Sequence, residues 1–212
     1  MMKNMHTLDI KQAGKAIEDT DKALILIHGR GASAQDILRL APHLSVEDYA
    51  LLAPQASNHT WYPFSFMAPT EQNEPWLTSA LDVLEKLVQE VVNKGIDKAN
   101  IYFLGFSQGA CLTLEYVTRR ATRYGGVVAF TGGLIGEEIN LDHYSGDFGE
   151  TPVFIGTGNP DSHVPVQRVL DTKDILKKMN ANVMLEIYNN KPHSISPDEI
   201  DKANAFVFKV SE

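Results

Sequence analysis

Ile101-Tyr102-Phe103-Leu104-Gly105-Phe106-Ser107-Gln108-Gly109-Ala110-Cys111-Leu112 is the stretch on which the fold turns. Its first six residues form a short, nearly unbroken apolar run, the pattern of a strand buried on both faces. From Gln108 onward the sequence QGACLTLEYV changes to helical spacing and predicts a helix over 108–121. At the junction, Gly105-Phe106-Ser107-Gln108-Gly109 fits G-x-S-x-G. A serine in this pattern sits on a tight, strained turn with its hydroxyl projecting from the end of the strand. Glycines two before and two after it remove Cβ atoms that would collide with neighbouring backbone. The helix that opens there turns its free N–H groups toward the site and favours developing negative charge. Ser107 is therefore the candidate nucleophile. The alternative is a plain strand-to-helix turn with a capping serine. Cys111, one helical turn later, reads as a small buried core residue.

Working outward, apolar runs alternate with helical patterns. Strands are predicted at 23–27 (ALILI), 49–53, 126–130, 151–156 and 182–188. Helices are predicted at 33–44 with Ser33 as N-cap, at 76–94 with Gly95 ending the run, within 164–179, and at 197–210 with Ser196 or Pro197 at its start. This alternation implies parallel βαβ units, an α/β fold whose sheet is covered on both sides. In such sheets the ligand lies outside the carboxyl ends of the strands, so chemistry is expected just after them.

A serine hydroxyl needs a general base, and the acid and histidine are expected to follow it in that order. Of the downstream histidines, His143 lies in a polar, loop-like segment. His163 follows a strand and could line the site, and His193 lies in NKPHSI between the last strand and the last helix. His193 is the candidate base. Asp161, in GTGNPD after the strand TPVFIG, is the candidate acid. Its task is to accept the imidazole Nδ1 proton and fix the tautomer. Asp171 and Asp174 fall within the following helix. An oxyanion needs backbone donors. One is the N–H of Gln108, and the other is assigned to Arg30 in the glycine-rich segment His28-Gly29-Arg30-Gly31. The Arg30 side chain could hold an anionic substrate group or point to solvent.

Composition narrows the classes. The chain has 212 residues, 43% of them hydrophobic and 22% charged, which is ordinary for a globular protein with one sizeable core. With 19 basic and 27 acidic residues its formal charge is −8, and nucleic-acid binding is not expected. Arg119, Arg120 and Arg123, and Lys177 with Lys178, read as solvated helix faces. One cysteine precludes an intrachain disulfide. No signal peptide and no membrane span are recognised, so a cytoplasmic enzyme is the default expectation.

The segments HGRGAS, GFSQGA, GNPDSHVPV and PHSI together resemble the carboxylesterase/phospholipase family, which includes acyl-protein thioesterases and small bacterial carboxylesterases. The likeness runs from about Ala23 to the final helix. It implies an α/β-hydrolase fold without a large cap domain and the acid at Asp161 of a G-x-x-D-x-x-V-P motif. It also implies no cofactor, and no metal ligands are assigned. Dienelactone hydrolases are more distant relatives with a cysteine nucleophile where this chain has Ser107. The single domain is expected to span 1–212, with 1–20 as an N-terminal extension that could add a strand.

One region departs from the better-known acyl-protein thioesterases. Residues 58–76 (NHTWYPFSFMAPTEQNEPW) gather Trp61, Tyr62, Phe64, Phe66 and Met67 among prolines, so a loop over 56–76 is expected above the site. Its rings either line an acyl or aromatic pocket or pack the loop onto the body. Gly29, Gly31, Trp61, Tyr62, Phe64, Phe66, His163 and Val164 are the candidate pocket residues, with Leu134 and Ile135 as the opposite wall. The expected activity is carboxylic ester hydrolysis through Ser107, His193 and Asp161. Acyl thioesterase or lysophospholipase activity is the alternative, and a non-catalytic small-molecule receptor on the same fold the more remote one. The sequence leaves oligomeric state open, a homodimer included.

Overall fold

In the computed structural model, residues 5–208 are described. They build a seven-stranded sheet from β1 (Ile10–Gly14), β2 (Ala23–Ile27), β3 (Ala50–Pro54), β4 (Ile101–Phe106), β5 (Gly126–Phe130), β6 (Pro152–Asn159) and β7 (Asn182–Asn189). The order is β1-β3-β2-β4-β5-β6-β7, with β1 antiparallel to β3 and every other pairing parallel. The helices are α1 (Ala34–Leu38), α2 (Thr70–Asn73), α3 (Trp76–Asn93), α4 (Gln108–Arg119), α5 (Val166–Lys178) and α6 (Pro197–Phe206).

The apolar runs are buried because the sheet is covered on both sides. Along β2, Ala23, Ile25 and Ile27 pack with Leu84 and Leu112 on the α3–α4 side, while Leu24 and Leu26 pack with Ile37 and Ala203 on the α1–α6 side. β4, β5 and β6 alternate likewise: Phe103, Val127 and Ile155 face one layer, and Leu104, Phe130 and Phe154 the other. The continuous hydrophobicity of these strands follows from this double burial. α4 is buried from Gln108 to Thr118, so it carries no solvent face in that span.

Several boundaries move for identifiable reasons. The predicted 33–44 helix is a five-residue α1 followed by a 3-10 turn at Ala41–His43, where Pro42 stands at its start. Ser33 does cap α1 and, with Asp36, forms a capping box. β6 continues three residues past the predicted end, through Thr157, Gly158 and Asn159, because β7 extends alongside it to Asn189. α6 ends at Phe206, short of the predicted 210, which itself lies outside the described residues. Among the basic residues read as a solvated face, Arg119 instead pairs with fully buried Glu115 at 2.7 Å, whereas Arg120 and Arg123 are exposed.

β1 supplies an edge strand ahead of the first parallel unit. Its burial is weak, with only Ile10 partly covered, but all five of its residues pair with β3. No helix among the described residues is long and apolar enough to cross a membrane.

Candidate active site

The turn from β4 into α4 brings Ser107 to the carboxyl end of the sheet. Ser107 has φ 54° and ψ −119°, a strained conformation for a residue with a side chain. Close packing holds it there. A Cβ on Gly109 would collide with the Ile27 carbonyl oxygen, and one on Gly105 with the Gly109 carbonyl oxygen. Only glycine lets β2, β4 and α4 approach this closely.

The loops after β6 and β7 bring the other two polar groups to Ser107. His193 Nε2 lies 2.8 Å from Ser107 Oγ, and His193 Nδ1 lies 2.8 Å from Asp161 Oδ2. A carboxylate can only accept, so Nδ1 carries the proton and Nε2 is free to accept from the serine hydroxyl. The other Asp161 oxygen accepts the N–H groups of His163 at 2.8 Å and Val164 at 2.9 Å. The Asp161 side chain is wholly buried and that of His193 is 19% exposed. Burial alone would raise the Asp161 carboxyl. The hydrogen bonds from His193 and the two N–H groups, with the attraction of His193, outweigh it and hold the group below its ordinary value of 3.8. The imidazole lies between Phe106, with ring centroids 5.3 Å apart, and His163, at 4.7 Å.

Gly31 follows Arg30 at φ +77° and donates its N–H to the His59 carbonyl at 2.8 Å, while a Cβ on Gly29 would lie 3.5 Å from Ser107 Cβ. Among the described residues, the backbone N–H groups of Arg30 and Gln108 enter no turn or cap hydrogen bond. Both residues line the cleft that contains Ser107. The Arg30 guanidinium is committed elsewhere: it donates to Thr60 Oγ1 and to the carbonyls of Pro63 and Phe64. Three of its five N–H donors thereby pin the aromatic loop.

The cleft has a volume of about 590 Å³, within the range of small-molecule sites. Of the candidate pocket residues, Gly29, Tyr62, Phe64, Phe66, His163 and Val164 line it. Trp61, Gly31, Leu134 and Ile135 do not. Trp61 is fully buried and donates its indole N–H to the His28 carbonyl, so it packs the loop onto the body. Leu134 and Ile135 are buried with their N–H groups bound to Thr172 and to Glu115, and they form no part of the cleft wall. The aromatic loop thus divides between the two readings: Phe64, 53% exposed at the mouth, and Phe66 face the cleft, whereas Trp61 faces inward.

Four participants escape a reading of the sequence. Phe106, the second residue of the motif, forms part of the cleft, and Cys111 lies at its base. Burial pushes the Cys111 thiol up to about 12, so it stays protonated and unreactive. The Gln108 side chain clamps the aromatic loop, its oxygen accepting the Trp61 backbone N–H and its nitrogen donating to the Tyr62 carbonyl. The fourth is a pair of buried histidines flanking Trp61. His28 Nδ1 lies 2.8 Å from the Gly29 carbonyl and Nε2 accepts the Ala56 N–H, while His6 Nε2 lies 2.8 Å from the Trp61 carbonyl and Nδ1 accepts the Ser57 N–H. Each ring is thereby fixed in one neutral tautomer. Desolvation, only partly offset by these carbonyl contacts, holds both below the ordinary 6.5. A paired donor and acceptor on each ring is a geometric signal that composition and spacing do not carry. Among the described residues, no three His, Cys, Asp or Glu side chains converge as a metal-holding group.

Residues 9–211 match a family model described as Phospholipase/Carboxylesterase. The crystal structure of a phospholipase/carboxylesterase from Dyadobacter fermentans DSM 18053 is similar at a TM-score of 0.96 with 51% identity, covering 97% of this chain and 98% of that one. Acyl-protein thioesterase 1 of Saccharomyces cerevisiae is 26% identical over 219 residues, 91% of this chain and 94% of that protein. The Bacillus cereus carboxylesterase structure, at 20% identity and a TM-score of 0.76 over 93% of this chain and 92% of that one, is similar in fold.

Proposed function

The chain belongs to the phospholipase/carboxylesterase family of α/β-hydrolases, and from that membership we propose that it cleaves carboxylic esters by a two-step acyl transfer through Ser107, His193 and Asp161. The observation that carries this reading is the unbroken series Ser107 Oγ, His193 Nε2, His193 Nδ1, Asp161 Oδ2, with both gaps at 2.8 Å.

In the first step Ser107 Oγ attacks the ester carbonyl as its proton passes to His193 Nε2. The carbonyl oxygen takes up the negative charge, and the N–H groups of Arg30 and Gln108 are the donors assigned to it. Asp161 stabilises the imidazolium. Collapse of the tetrahedral species breaks the bond to the leaving oxygen, which receives the proton from Nε2 and departs as the alcohol. A water then gives its proton to Nε2 and attacks the acyl-enzyme, and the carboxylic acid leaves as Ser107 recovers its proton.

Thioester cleavage is the second reading. It rests on the full-length similarity to proteins described as acyl-protein thioesterase 1 and on an aromatic cleft wall that suits an acyl group. The same residues would act, with a thiolate as leaving group. A non-catalytic receptor does not need a serine, a histidine and a buried carboxylate in hydrogen-bonded order. A cytoplasmic site of action fits a chain whose one cysteine is buried and unpaired.

Ser107→Ala should retain the fold and lose p-nitrophenyl ester hydrolysis by at least about a thousandfold in kcat, together with fluorophosphonate labelling. Undiminished turnover in a folded variant would remove Ser107 from the mechanism. A series of acyl esters and matched thioesters of increasing chain length separates the two substrate classes.

A further inference from the structure

The loop between β7 and α6, residues 190–196, carries His193 and is held by a buried ion pair outside the Ser107–His193–Asp161 series. Lys191 Nζ lies 3.0 Å from Glu199 Oε2, with side chains 8% and 0% exposed. The same ammonium donates to the Ser194 carbonyl, so it grips the loop on both sides of His193. Glu199 Oε2 also accepts the backbone N–H and hydroxyl of Ser196 at 2.8 and 2.9 Å, fixing the start of α6.

Both partners lean on the strand that leads to the acid. A Cβ on Gly156 would lie 2.5 Å from Glu199 Oε1, and one on Gly158 would lie 2.7 Å from the Lys191 carbonyl oxygen. Asn190 N–H donates to the Asn159 carbonyl at 3.0 Å. The pair therefore joins three parts: the end of β6 leading to Asp161, the loop bearing His193, and α6. A buried ion pair is a poor source of stability, because its desolvation cost is comparable to its attraction and an apolar pair often serves equally well. What it supplies is directional restraint on backbone within one residue of the base.

We infer that Lys191 and Glu199 are positioning residues that set the His193 ring against Asp161 and Ser107. This rests on the proposed role of His193 as general base. A misplacement on the order of 1 Å in such a site costs roughly a hundredfold in rate, so removal of the pair should act on kcat far more than on KM.

The test is Lys191→Met, Glu199→Gln and the double variant, assayed beside wild type and Ser107→Ala. The double variant leaves no lone buried charge, and the amide introduced by Glu199→Gln retains an oxygen to accept from Ser196. It should melt near wild type, lose about tenfold to a hundredfold in kcat and keep KM within about twofold. Its acid limb in kcat/KM should move to lower pH, because a loosened Asp161–His193 bond stabilises the imidazolium less. A folded double variant with wild-type kcat and an unmoved pH profile overturns the inference. So does unfolding of all three variants, which would make the pair a determinant of folding instead. An inactive wild type, or an active Ser107→Ala, overturns the proposed function itself and is read separately.

Discussion

At the turn between β4 and α4 the backbone is fixed by contact: glycine stands where any Cβ would strike the Ile27 or Gly109 carbonyl oxygen. At the turn between β7 and α6 it is fixed by polar groups, with Lys191, Glu199 and Ser196 hydrogen-bonded across the loop that carries His193. The first arrangement lies in the middle of the sheet, beside strands buried along their length. The second lies at the β7 edge, where every residue of the strand is at least partly exposed. Close packing suits the strained conformation of Ser107, the proposed nucleophile, because neighbouring atoms leave it nowhere to relax. Hydrogen bonds suit His193, the proposed base, which in that role must accept and release a proton while keeping its direction.

The two regions should fail in different ways. Gly109→Ala should give the largest effect, since its Cβ would collide with a backbone oxygen within the sheet core. Several kcal/mol of overpacking is expected, about 10 °C or more in melting temperature, with activity lost alongside the fold. Thermal melts and soluble yield measure it, and a wild-type melt would mean that α4 can move freely from β2. Asp161→Asn should come next and act on chemistry alone. The amide that replaces the carboxylate still offers an oxygen to the N–H groups of His163 and Val164 but no longer holds His193 in the required tautomer. A kcat loss of about a thousandfold or more with a near-normal melt is expected, and stopped-time ester assays with circular dichroism check both halves.

Acid should sharpen the contrast with the smallest effect. His6 and His28 brace the aromatic loop on the nucleophile side, and burial holds both below 6.5. As pH falls below 6.5 the unfolded chain binds protons that the folded one refuses, so stability declines by up to about 1.4 kcal/mol per pH unit for each ring. Asp161, on the base side, is held below 3.8. Its contribution persists until pH drops toward 3.8 and is lost below that. Melting temperature against pH should therefore begin to fall near 6.5, and His6→Gln should flatten that first decline. An unchanged slope in the variant would show that His6 does not resist protonation.

The sequence makes legible whatever depends on consecutive apolar residues or on the order of motifs. β2, β4 and β5 read correctly because both of their faces are buried, and Ser107, Asp161 and His193 are singled out as candidates by their places after strands. β1 has no such pattern: IKQAG shows one partly covered side chain and is held by its ladder to β3. The last three residues of β6 fall outside the predicted strand because Thr, Gly and Asn are common in loops, and only pairing with β7 makes them a strand. Bulk and position alone assign Trp61, Leu134 and Ile135 to the cleft. Backbone and indole partners that lie far off in sequence turn them inward. The Lys191–Glu199 pair, eight residues apart across a loop and a helix start, has no periodicity to reveal it.

Cys111 has a practical consequence. It is the chain's one cysteine, it is 1% exposed, and its thiol is pushed up to about 12. Maleimides and other thiolate-seeking reagents should leave the native enzyme untouched. A single cysteine introduced on the solvent face at the cleft mouth would then take a fluorophore or spin label without first mutating the background. Substrate passage beside Phe64 could be followed by spectroscopy in a protein otherwise unaltered.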